Sequence, residues 1–315
     1  MEVNFHLPGL RGNFPLNMLL INMLEEYPDY FRPGIKIASV FGEFPVSLWG
    51  GGRFNPTDQC DRKYVTTIIS LLNKKGIPVR FTYTNPTVTK EELSDEYCNF
   101  CMEAGHNGLN EVLVVSPILE EYIREKYPKY RIDSSTCKGI TSVEGINEEL
   151  AKDYHLVVLD YNMNNHFDQI DKVSDKTRCE ILVNACCVPE CPRRREHYEI
   201  IGKNNRTLLE NRKNNPSDPK KNIIEWYCSY GENAMPSVTR AYKTHVSPDS
   251  IWNDYVPMGF TQFKLEGRTA NIFLMVNTYA YYFAKPEYRD DVEIMLLANL
   301  QANKVITVAK PRPAF

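Results

Sequence analysis

Short apolar runs alternate with helical patterns along the whole chain, and this alternation limits the possible folds more than any other feature of the sequence. Each run is rich in β-branched or aromatic residues and has the length of a strand that is buried on both faces. Eight such runs occur, at residues 35–40, 79–83, 112–116, 131–135, 156–160, 181–184, 242–246 and 260–265. We therefore predict eight strands.

Helical patterns fill most of the gaps between these runs. The segment 59–75, for example, repeats apolar residues at the spacing of one helix face. Gly76 and Gly202 stand at or near predicted helix ends, where glycine relieves left-handed backbone geometry. The predicted helices are 14–27, 59–75, 91–103, 119–126, 143–154, 167–176, 192–203, 247–254, 270–284 and 287–302.

Strands that alternate with helices are typical of a parallel sheet, and eight strands favour closure into a barrel. We predict an α/β fold, a single-domain (β/α)8 TIM-type barrel, with a doubly wound open sheet as the alternative. Residues 1–34 form an N-terminal cap whose helix covers the bottom of the barrel, 35–268 the barrel core, and 269–315 two C-terminal helices and a tail. The polar stretch 204–221 is interpreted as an irregular surface insertion.

Composition excludes several classes of protein. The net charge of -3 and the pI near 6.1 do not fit a general polyanion-binding protein. No run of about 18 apolar residues predicts a membrane span, and the N-terminus lacks the features of a secretory signal. We expect a cytoplasmic protein, in which the nine cysteines are free thiols or metal ligands rather than disulfides.

Polar side chains at the ends of predicted strands are the first candidates for a site. In a TIM-type barrel the active residues lie at the C-terminal ends of strands and in the loops that follow. Glu43, Asn85 and Asn184 are predicted to contact substrate there, and Asp160 is predicted to transfer protons.

The segment NACCVPECPRRREHY, residues 184–198, is the strongest chemical signal. It brings Cys186, Cys187 and Cys191 close together, and Cys228 follows after the polar stretch. Thiolates suit zinc, iron or an iron–sulfur cluster, so we predict these four as metal ligands. Burial of structural thiols at a strand end is an equally good interpretation, since free cysteine is often buried and no CxxC pair occurs here.

Another pair, Cys98 and Cys101, does form a CxxC. It lies inside a helical pattern with apolar neighbours, which favours packing in the core over chemistry.

Basic residues follow the cysteines. Residues 192–221 hold nine Lys or Arg and four Asp or Glu. Arg193 and Arg194 are predicted to bind an anionic small molecule, and the segment offers a surface for nucleic acid, although a solvated charged face is the usual explanation. His197 is a candidate acid or base.

The run WGGGRF offers a second possible anion site. Successive glycines can present N–H groups to an anion, and Arg53 adds charge there, although a tight barrel loop explains the glycines equally well.

The run FKLEGR at residues 263–268 places charges on the last strand. Lys264 and Glu266 alternate with Phe263 and Leu265, so the charged pair faces the barrel interior if the apolar pair packs on helices. Buried charges are costly unless they pair or bind something. We predict Lys264 in substrate binding and Glu266 with Arg268 in catalysis; a structural ion pair of Lys264 with a carboxylate such as Asp160 is the alternative.

These motifs together resemble the collagenase-like peptidases, peptidase family U32. The match rests on FKLEGR preceded by Gly259, on SVFGEF after the first predicted strand, on TNP at residues 84–86, and on the cysteine segment. Lys264, Glu266, Gly267 and Arg268 correspond to the family's strand-eight motif. Cys186 or Cys187, with Cys191 and Cys228, corresponds to its cysteines; the family's usual GRC-type run is absent.

This resemblance implies a TIM-type barrel. Some members of the family hydroxylate tRNA bases or the ubiquinone ring without oxygen and carry a [4Fe–4S] cluster on four cysteines, while others are called peptidases. We therefore expect a metal- or iron–sulfur-dependent enzyme that modifies a small molecule or a nucleic acid. A hydrolase that uses a cysteine such as Cys187 with His197, or an activated water, is the second hypothesis. A non-catalytic ligand-binding barrel is the third.

Overall fold

The computed structural model describes residues 2–45, 47–52, 60–228, 236–267 and 271–307. Eight parallel strands form a closed barrel in chain order, and the last strand pairs with the first. The predicted single-domain TIM-type barrel is therefore confirmed. The strands are β1 (Val3–Pro8), β2 (Ile35–Gly42), β3 (Val79–Tyr83), β4 (Glu111–Val114), β5 (Arg131–Ser134), β6 (Val157–Val158), β7 (Cys179–Leu182) and β8 (Gln262–Lys264).

Helices connect successive strands and pack around the outside of the barrel. Asp61 begins the second helix by accepting a hydrogen bond from the Tyr64 N–H group, and Gly76 follows its end at a φ of 72°. The helices are α1 (Phe14–Glu26), α2 (Arg62–Lys74), α3 (Glu96–Ala104), α4 (Pro117–Lys126), α5 (Val143–Leu150), α6 (Phe167–Ile170), α7 (Arg194–Asn214), α8 (Pro236–Thr239), α9 (Pro248–Ser250), α10 (Ile272–Phe283) and α11 (Arg289–Ala302).

The first strand of the barrel is Val3–Pro8, not the run 35–40. Residues 1–34 are therefore not a cap, and α1 is the crossover between β1 and β2 rather than a cover for the bottom of the barrel. The strand was missed because its polar residues alternate with its apolar ones. Phe5 is buried among the outer helices, whereas His6 faces a polar interior. A search for continuous apolar runs does not find such a strand.

The run 242–246 is not a strand, and the prediction there was wrong. It forms turns whose carbonyl groups accept hydrogen bonds from the side chains of Asn164 and Asn165. β7 and β8 already pair directly, with Ile181 opposite Phe263, so no place in the barrel remains for this segment.

The predicted irregular insertion 204–221 is also wrong in its first half. α7 continues through it to Asn214, and Gly202, which we placed near a helix end, lies in the middle of this helix. A glycine inside a helix costs about 1 kcal/mol relative to alanine. Its presence therefore has a packing reason, which is given with the site below.

The barrel interior contains a network of buried charged side chains. Arg80 is fully buried, and its Nε lies 2.7 Å from a Glu111 oxygen and 2.8 Å from an Asp133 oxygen. Its Nη1 lies 2.5 Å from Glu180. Burial alone would lower the pKa of Arg80, but the three carboxylates outweigh burial and raise it. Burial would raise the pKa of Glu180, but Arg80 reverses this effect, so Glu180 stays ionised.

His6 and Lys264 complete this interior network. The Lys264 Nζ lies 3.4 Å from Glu180, which confirms that the charged face of the last strand points inward; its partner is Glu180 rather than Asp160. His6 contacts the Ser39 hydroxyl through Nδ1 at 2.8 Å and the Glu180 carboxylate through Nε2 at 3.1 Å. Burial, together with the charge of Arg80, lowers the pKa of His6 to about 4.

None of the helices in the described part of the chain combines the length and the apolar character that a membrane crossing requires.

Loss of Arg80 should destabilise the barrel more than loss of any surface arginine. We expect Arg80→Leu to lower the free energy of unfolding by about 3–5 kcal/mol, because three carboxylates lose their buried counter-charge. Urea denaturation measures this change. As the control, Arg62→Leu removes an exposed ion pair with Glu96 and should cost less than about 1 kcal/mol. Similar costs for the two variants would contradict the central role of Arg80.

The stability of the protein should fall as the pH drops from 6.5 towards 4. Below the usual pKa of 6.5 the unfolded chain protonates His6, whereas the folded protein does so only near its lowered pKa of about 4. The shift corresponds to about 3 kcal/mol, present in full above pH 6.5 and lost towards pH 4. Burial also lowers the pKa of His245 to about 4. In His6→Gln, the contribution of His245 remains, so we expect the slope of unfolding free energy against pH to fall to about half. An unchanged slope would show that His6 does not cause the loss of stability at low pH.

Candidate functional site

Helix α7 lies across the C-terminal mouth of the barrel. Near its start, Arg194 donates hydrogen bonds to Asp160 after β6 and to the Thr136 carbonyl after β5. Further along, Asn205 donates a 3.0 Å hydrogen bond to the Gly50 carbonyl after β2. A helix of 21 residues is about 31 Å long, which is enough to span the mouth.

Gly202 allows this crossing. A Cβ atom at this position would lie 2.1 Å from the Asn85 Oδ1 and 2.7 Å from the Thr87 Oγ1, so only glycine lets α7 approach the loop after β3 this closely. The neighbouring Arg206 is paired with Glu92 in the same region.

The chain then returns along α7 through residues 219–228, which we call the strap; residues 219–222 form turns, and residues 223–228 belong to no helix or strand. Asn204 holds its middle: the Asn204 amide donates to the Ile224 carbonyl at 2.9 Å and accepts from the Ile224 N–H at 2.8 Å. Asn211 donates to the carbonyls of Pro219 and Lys221. Part of the predicted surface insertion is therefore bound to the helix that crosses the mouth.

A cavity of about 710 Å³ lies between α7, the strap and the end of the barrel. It gathers six of the residues predicted from the sequence. Its aliphatic wall comes from α7 and the strap, and its polar end comes from the cysteine segment and from the residues after β8. The predicted residues that line it are Cys186, Cys187, Arg194, His197, Cys228 and Glu266.

Glu266 is held firmly at the cavity wall. The Asn184 Oδ1 accepts the Glu266 N–H at 2.6 Å, and the Asn184 amide donates to the Glu266 carbonyl at 3.1 Å. One carboxylate oxygen of Glu266 accepts the Cys186 N–H at 2.8 Å. Beyond the last backbone pair of β7 and β8, the Asn184 side chain thus continues the hydrogen bonding between the two segments. It fixes the backbone position of Glu266. Glu266 also lines a small polar cavity of about 40 Å³ on its other side.

Three of the four predicted metal ligands, Cys186, Cys187 and Cys228, line the cavity with Glu266, and Cys191 does not. Cys187 is in contact with Cys191, and Cys191 and Cys228 both lie near Arg193. All four are free thiols. Within the described ranges no three of these sulfurs come within 4.8 Å of one another. Burial raises the pKa of the Cys187 thiol to about 11, so this thiol is protonated at neutral pH.

Asp160 and Arg194 neutralise each other at the edge of the cavity. Asp160 is buried and also accepts the Asn162 N–H at 3.0 Å. The Arg194 guanidinium lies 4.7 Å from the centre of the Tyr161 ring. Burial would lower the pKa of Arg194, but Asp160 reverses this effect and raises it. The pair therefore fixes the start of α7 over β6.

His197 and Arg193 both contact Trp226 of the strap. The His197 ring stacks on the indole at 4.7 Å with an angle of 11° between the planes, and the Arg193 guanidinium lies 4.0 Å from the ring centre. Two residues that were predicted for acid–base chemistry and anion binding are thus used to hold the strap.

Glu43 and Asn85 organise the loops beneath α7. Glu43 is buried and accepts hydrogen bonds from the Gly52 N–H at 2.7 Å and from the Ser47 hydroxyl at 3.1 Å. The Gly52 N–H group, one of those in the glycine run that could bind an anion, is thus already bound to a carboxylate of the protein. The Asn85 amide donates to the Leu48 carbonyl at 2.6 Å. Their predicted contacts with substrate stay predictions.

Two predicted site residues, Arg53 and Arg268, lie outside the described residues. Lys264 lies inside the barrel with Glu180, below the mouth. Cys98 and Cys101 are buried in α3, as the core-packing interpretation predicted.

A second group of possible ligands lies near the N-terminal ends of the strands. Oxygen and nitrogen atoms of Glu111, Asp133 and His155 lie within 4.8 Å of one another. Both carboxylates, however, contact arginines: Arg80 bridges them, and Arg131 lies 2.9 Å from Glu111. A metal ion would have to displace these arginines. We therefore interpret the group as part of a structural ion-pair network rather than as a metal site.

Sequence reasoning missed three residues at the cavity. Tyr198 lines it, and burial raises the pKa of its hydroxyl. Asn204 and Trp226 hold the strap. Tyr198 is adjacent to His197 in the cysteine segment and could have been included, whereas nothing local in the sequence indicates that Trp226 packs against α7.

Several arginines of the basic segment pair with carboxylates of the protein. Arg193 contacts Glu196, Arg194 contacts Asp160, and Arg206 contacts Glu92. Arg195 is 94% exposed, and its Nε lies 3.5 Å from a Glu199 oxygen. Binding of nucleic acid to this segment stays a prediction.

Comparison with known proteins gives limited similarity. No family model matches the chain. Over 99 residues the chain is 34% identical to a protein named as an uncharacterized protease of Methanocaldococcus jannaschii; the match covers 30% of this chain and 28% of that protein. Together with the motifs of the sequence, this match supports a relationship to the collagenase-like peptidases. The solved structure of the U32 peptidase Mk0906 aligns with 86% of this chain and 95% of its own, with a TM-score of 0.48 and 13% identity.

Replacement of Gly202 should show whether α7 depends on its close approach to the barrel. Helix propensity alone predicts that Gly202→Ala stabilises the protein by about 1 kcal/mol. We expect destabilisation instead, by about 1–3 kcal/mol, because the added methyl group collides with Asn85. Thermal unfolding measures the sign. Lys203→Ala, next to it on the exposed side, is the control and should change stability by less than about 0.5 kcal/mol.

Proposed function

We propose that the chain is an enzyme whose substrate binds in the mouth cavity, with Glu266 as the group that takes up and releases protons. Cys186, Cys187, Cys191 and Cys228 would hold a metal ion or an iron–sulfur cluster beside it. One observation supports this proposal above the others. Thiols from two separated segments, the turn after β7 and the strap, line a cavity that Glu266 also lines.

The donor set fits such a group in kind. Thiolates are soft ligands that select iron, zinc or iron–sulfur clusters over magnesium or calcium. The sulfurs are not gathered as a set of three within 4.8 Å, so binding would need rotation of these half-buried side chains. When bound, the group would supply electron transfer or Lewis-acid chemistry.

The residues of the chain supply the rest of the site. The aliphatic wall, with Ile201 and Leu208 of α7, suits an apolar part of a substrate. At the polar end, the backbone position of Glu266 is fixed by Asn184, and one of its oxygens is occupied by the Cys186 N–H group. A half-buried carboxylate held in this way can accept a proton from a bound substrate without a large rearrangement.

Hydrolysis is the second candidate, favoured by the protease name of the sequence relative. A cysteine nucleophile does not suit the site, because the raised pKa of Cys187 leaves it as a weakly nucleophilic thiol at neutral pH. A hydrolase of this geometry would instead use Glu266 to activate a water molecule. Action on nucleic acid and a cytoplasmic location stay predictions.

Protein purified without oxygen should contain iron with acid-labile sulfide, or zinc, and the content should depend on Cys191. We expect Cys191→Ser to lose at least half of the metal and, for iron, its visible charge-transfer absorbance. Cys60→Ser is the control, because Cys60 lies in a different part of the chain and is not among the residues around the cavity. Elemental analysis and a visible spectrum measure both.

Folded wild-type protein without metal would contradict the thiolate site. A hydrolase that uses Glu266 would then be the remaining enzyme hypothesis. Loss of turnover in Glu266→Gln would test it.

A further inference from the structure

We propose that the strap is a releasable gate: it occupies a groove on α7 that binds a peptide main chain, and it closes the mouth cavity from within the same chain. An extended peptide segment from outside would compete with the strap for this groove. The inference rests on the proposed function only in taking the cavity as the working site; the binding of the strap is argued from contacts alone.

The groove recognises main chain rather than side chains. Asn204 forms both a donor and an acceptor hydrogen bond with Ile224, as a neighbouring strand would do. Arg193 donates to the Tyr227 carbonyl at 3.3 Å, and Asn211 donates to two carbonyls near the start of the strap. Because backbone groups are common to all peptides, these contacts do not depend on the sequence that lies in the groove.

One side chain anchors the strap. Trp226 packs against both Arg193 and His197, which are four residues apart on α7 and thus on the same face of the helix. Two other large side chains of the strap are more exposed: Ile224 is 43% exposed and Tyr227 is 72% exposed. The groove therefore favours a segment with an aromatic residue at one position and tolerates many residues elsewhere.

The strap adheres weakly to the rest of the fold. In the part of the chain that the structure describes, the main-chain to main-chain hydrogen bonds of residues 219–228 run only to Asp218 and within the strap itself, from Lys221 and Ile223. Segments that are exposed and held by few hydrogen bonds open at a small fraction of the global unfolding free energy. The strap can leave α7 without unfolding the barrel.

Release of the strap would change the cavity in two ways. Residues 223–228 form one whole side of it, facing Cys186, Cys187 and Glu266, so the opening would admit a larger substrate. Cys228 would also move away from the other thiols. The gate thus couples access to the cavity with completion of the cysteine set.

The experiment replaces residues 223–227 by five glycine and serine residues, which keeps the chain length and Cys228. The probe is a fluorescein-labelled peptide KKNIIEWYS, which copies residues 220–227 and ends in serine instead of Cys228. In the wild-type protein the tethered strap competes at an effective concentration in the millimolar range, by the order of magnitude of short linkers. We expect the strap-replaced protein to bind the peptide at least about tenfold more tightly than the wild type, measured by fluorescence anisotropy.

Two further variants, made in the strap-replaced protein, identify the groove. Asn204→Ala should weaken peptide binding about tenfold, because two hydrogen bonds to the backbone are lost. Arg195→Ala, on the exposed face of the same helix, should leave binding unchanged. Circular dichroism and thermal unfolding establish that each variant is folded. If the strap-replaced protein does not fold, Trp226→Ala in the full chain replaces it.

Equal peptide binding by the wild-type and strap-replaced proteins, absence of binding by the folded strap-replaced protein, or indifference to Asn204→Ala would each overturn the gate. The measurement uses neither metal nor turnover. Failure of the thiolate site would therefore leave the gate intact, and failure of the gate would leave the thiolate site untouched.

Discussion

The buried guanidinium of Arg80 is the contact on which the barrel depends. It joins carboxylates from β4, β5 and β7 inside a space where an unpaired charge would cost several kcal/mol. His6 and Lys264 bring β1 and β8 into the same network, so side chains from six of the eight strands meet there. The residues that alternate with this network, such as Ile181 and Phe263, pack in the apolar core instead. This arrangement orders the barrel from its inside, and the mouth above it is free to carry chemistry.

Helix α7 turns that mouth into a site. Its first residue, Arg194, pairs with Asp160 after β6. In its middle, Asn205 binds the Gly50 carbonyl after β2, and Gly202 allows a close approach to Asn85. The helix, together with the strap, closes a cavity over the ends of β7 and β8. Arg193 and His197 contact Trp226 of the strap, and Arg194 pairs with Asp160, so these side chains hold the cover in place. The groups that line the cavity include the thiols of Cys186, Cys187 and Cys228 and the carboxylate of Glu266.

The position of Glu266 relative to the thiols follows from the pairing of β7 with β8. Asn184 binds the backbone of Glu266 in both directions, and the Cys186 N–H group, two residues further along, binds its carboxylate. The two motifs that the sequence marked as chemical are 80 residues apart and become one unit through these three hydrogen bonds. Cys228 reaches the same unit from a third direction, because Asn204 and Trp226 fix the strap. The site is thus formed by tertiary contacts between distant segments rather than by one local sequence motif.

Local sequence determined the alternation of strands and helices, and with it the parallel barrel, because hydrophobic period and helix caps act over a few residues. It also indicated the cysteine segment and Glu266, whose chemistry is evident from residue type. It did not reveal β1. The inward-facing His6 of this strand is polar because it contacts Glu180, which Arg80 also binds, and these partners are distant in the sequence. Nor did it show that 204–214 is helical, since an asparagine-rich helix is stabilised by what it packs against. Which arginines are paired, and that Trp226 covers the cavity, are contacts between distant residues that only the tertiary structure decides.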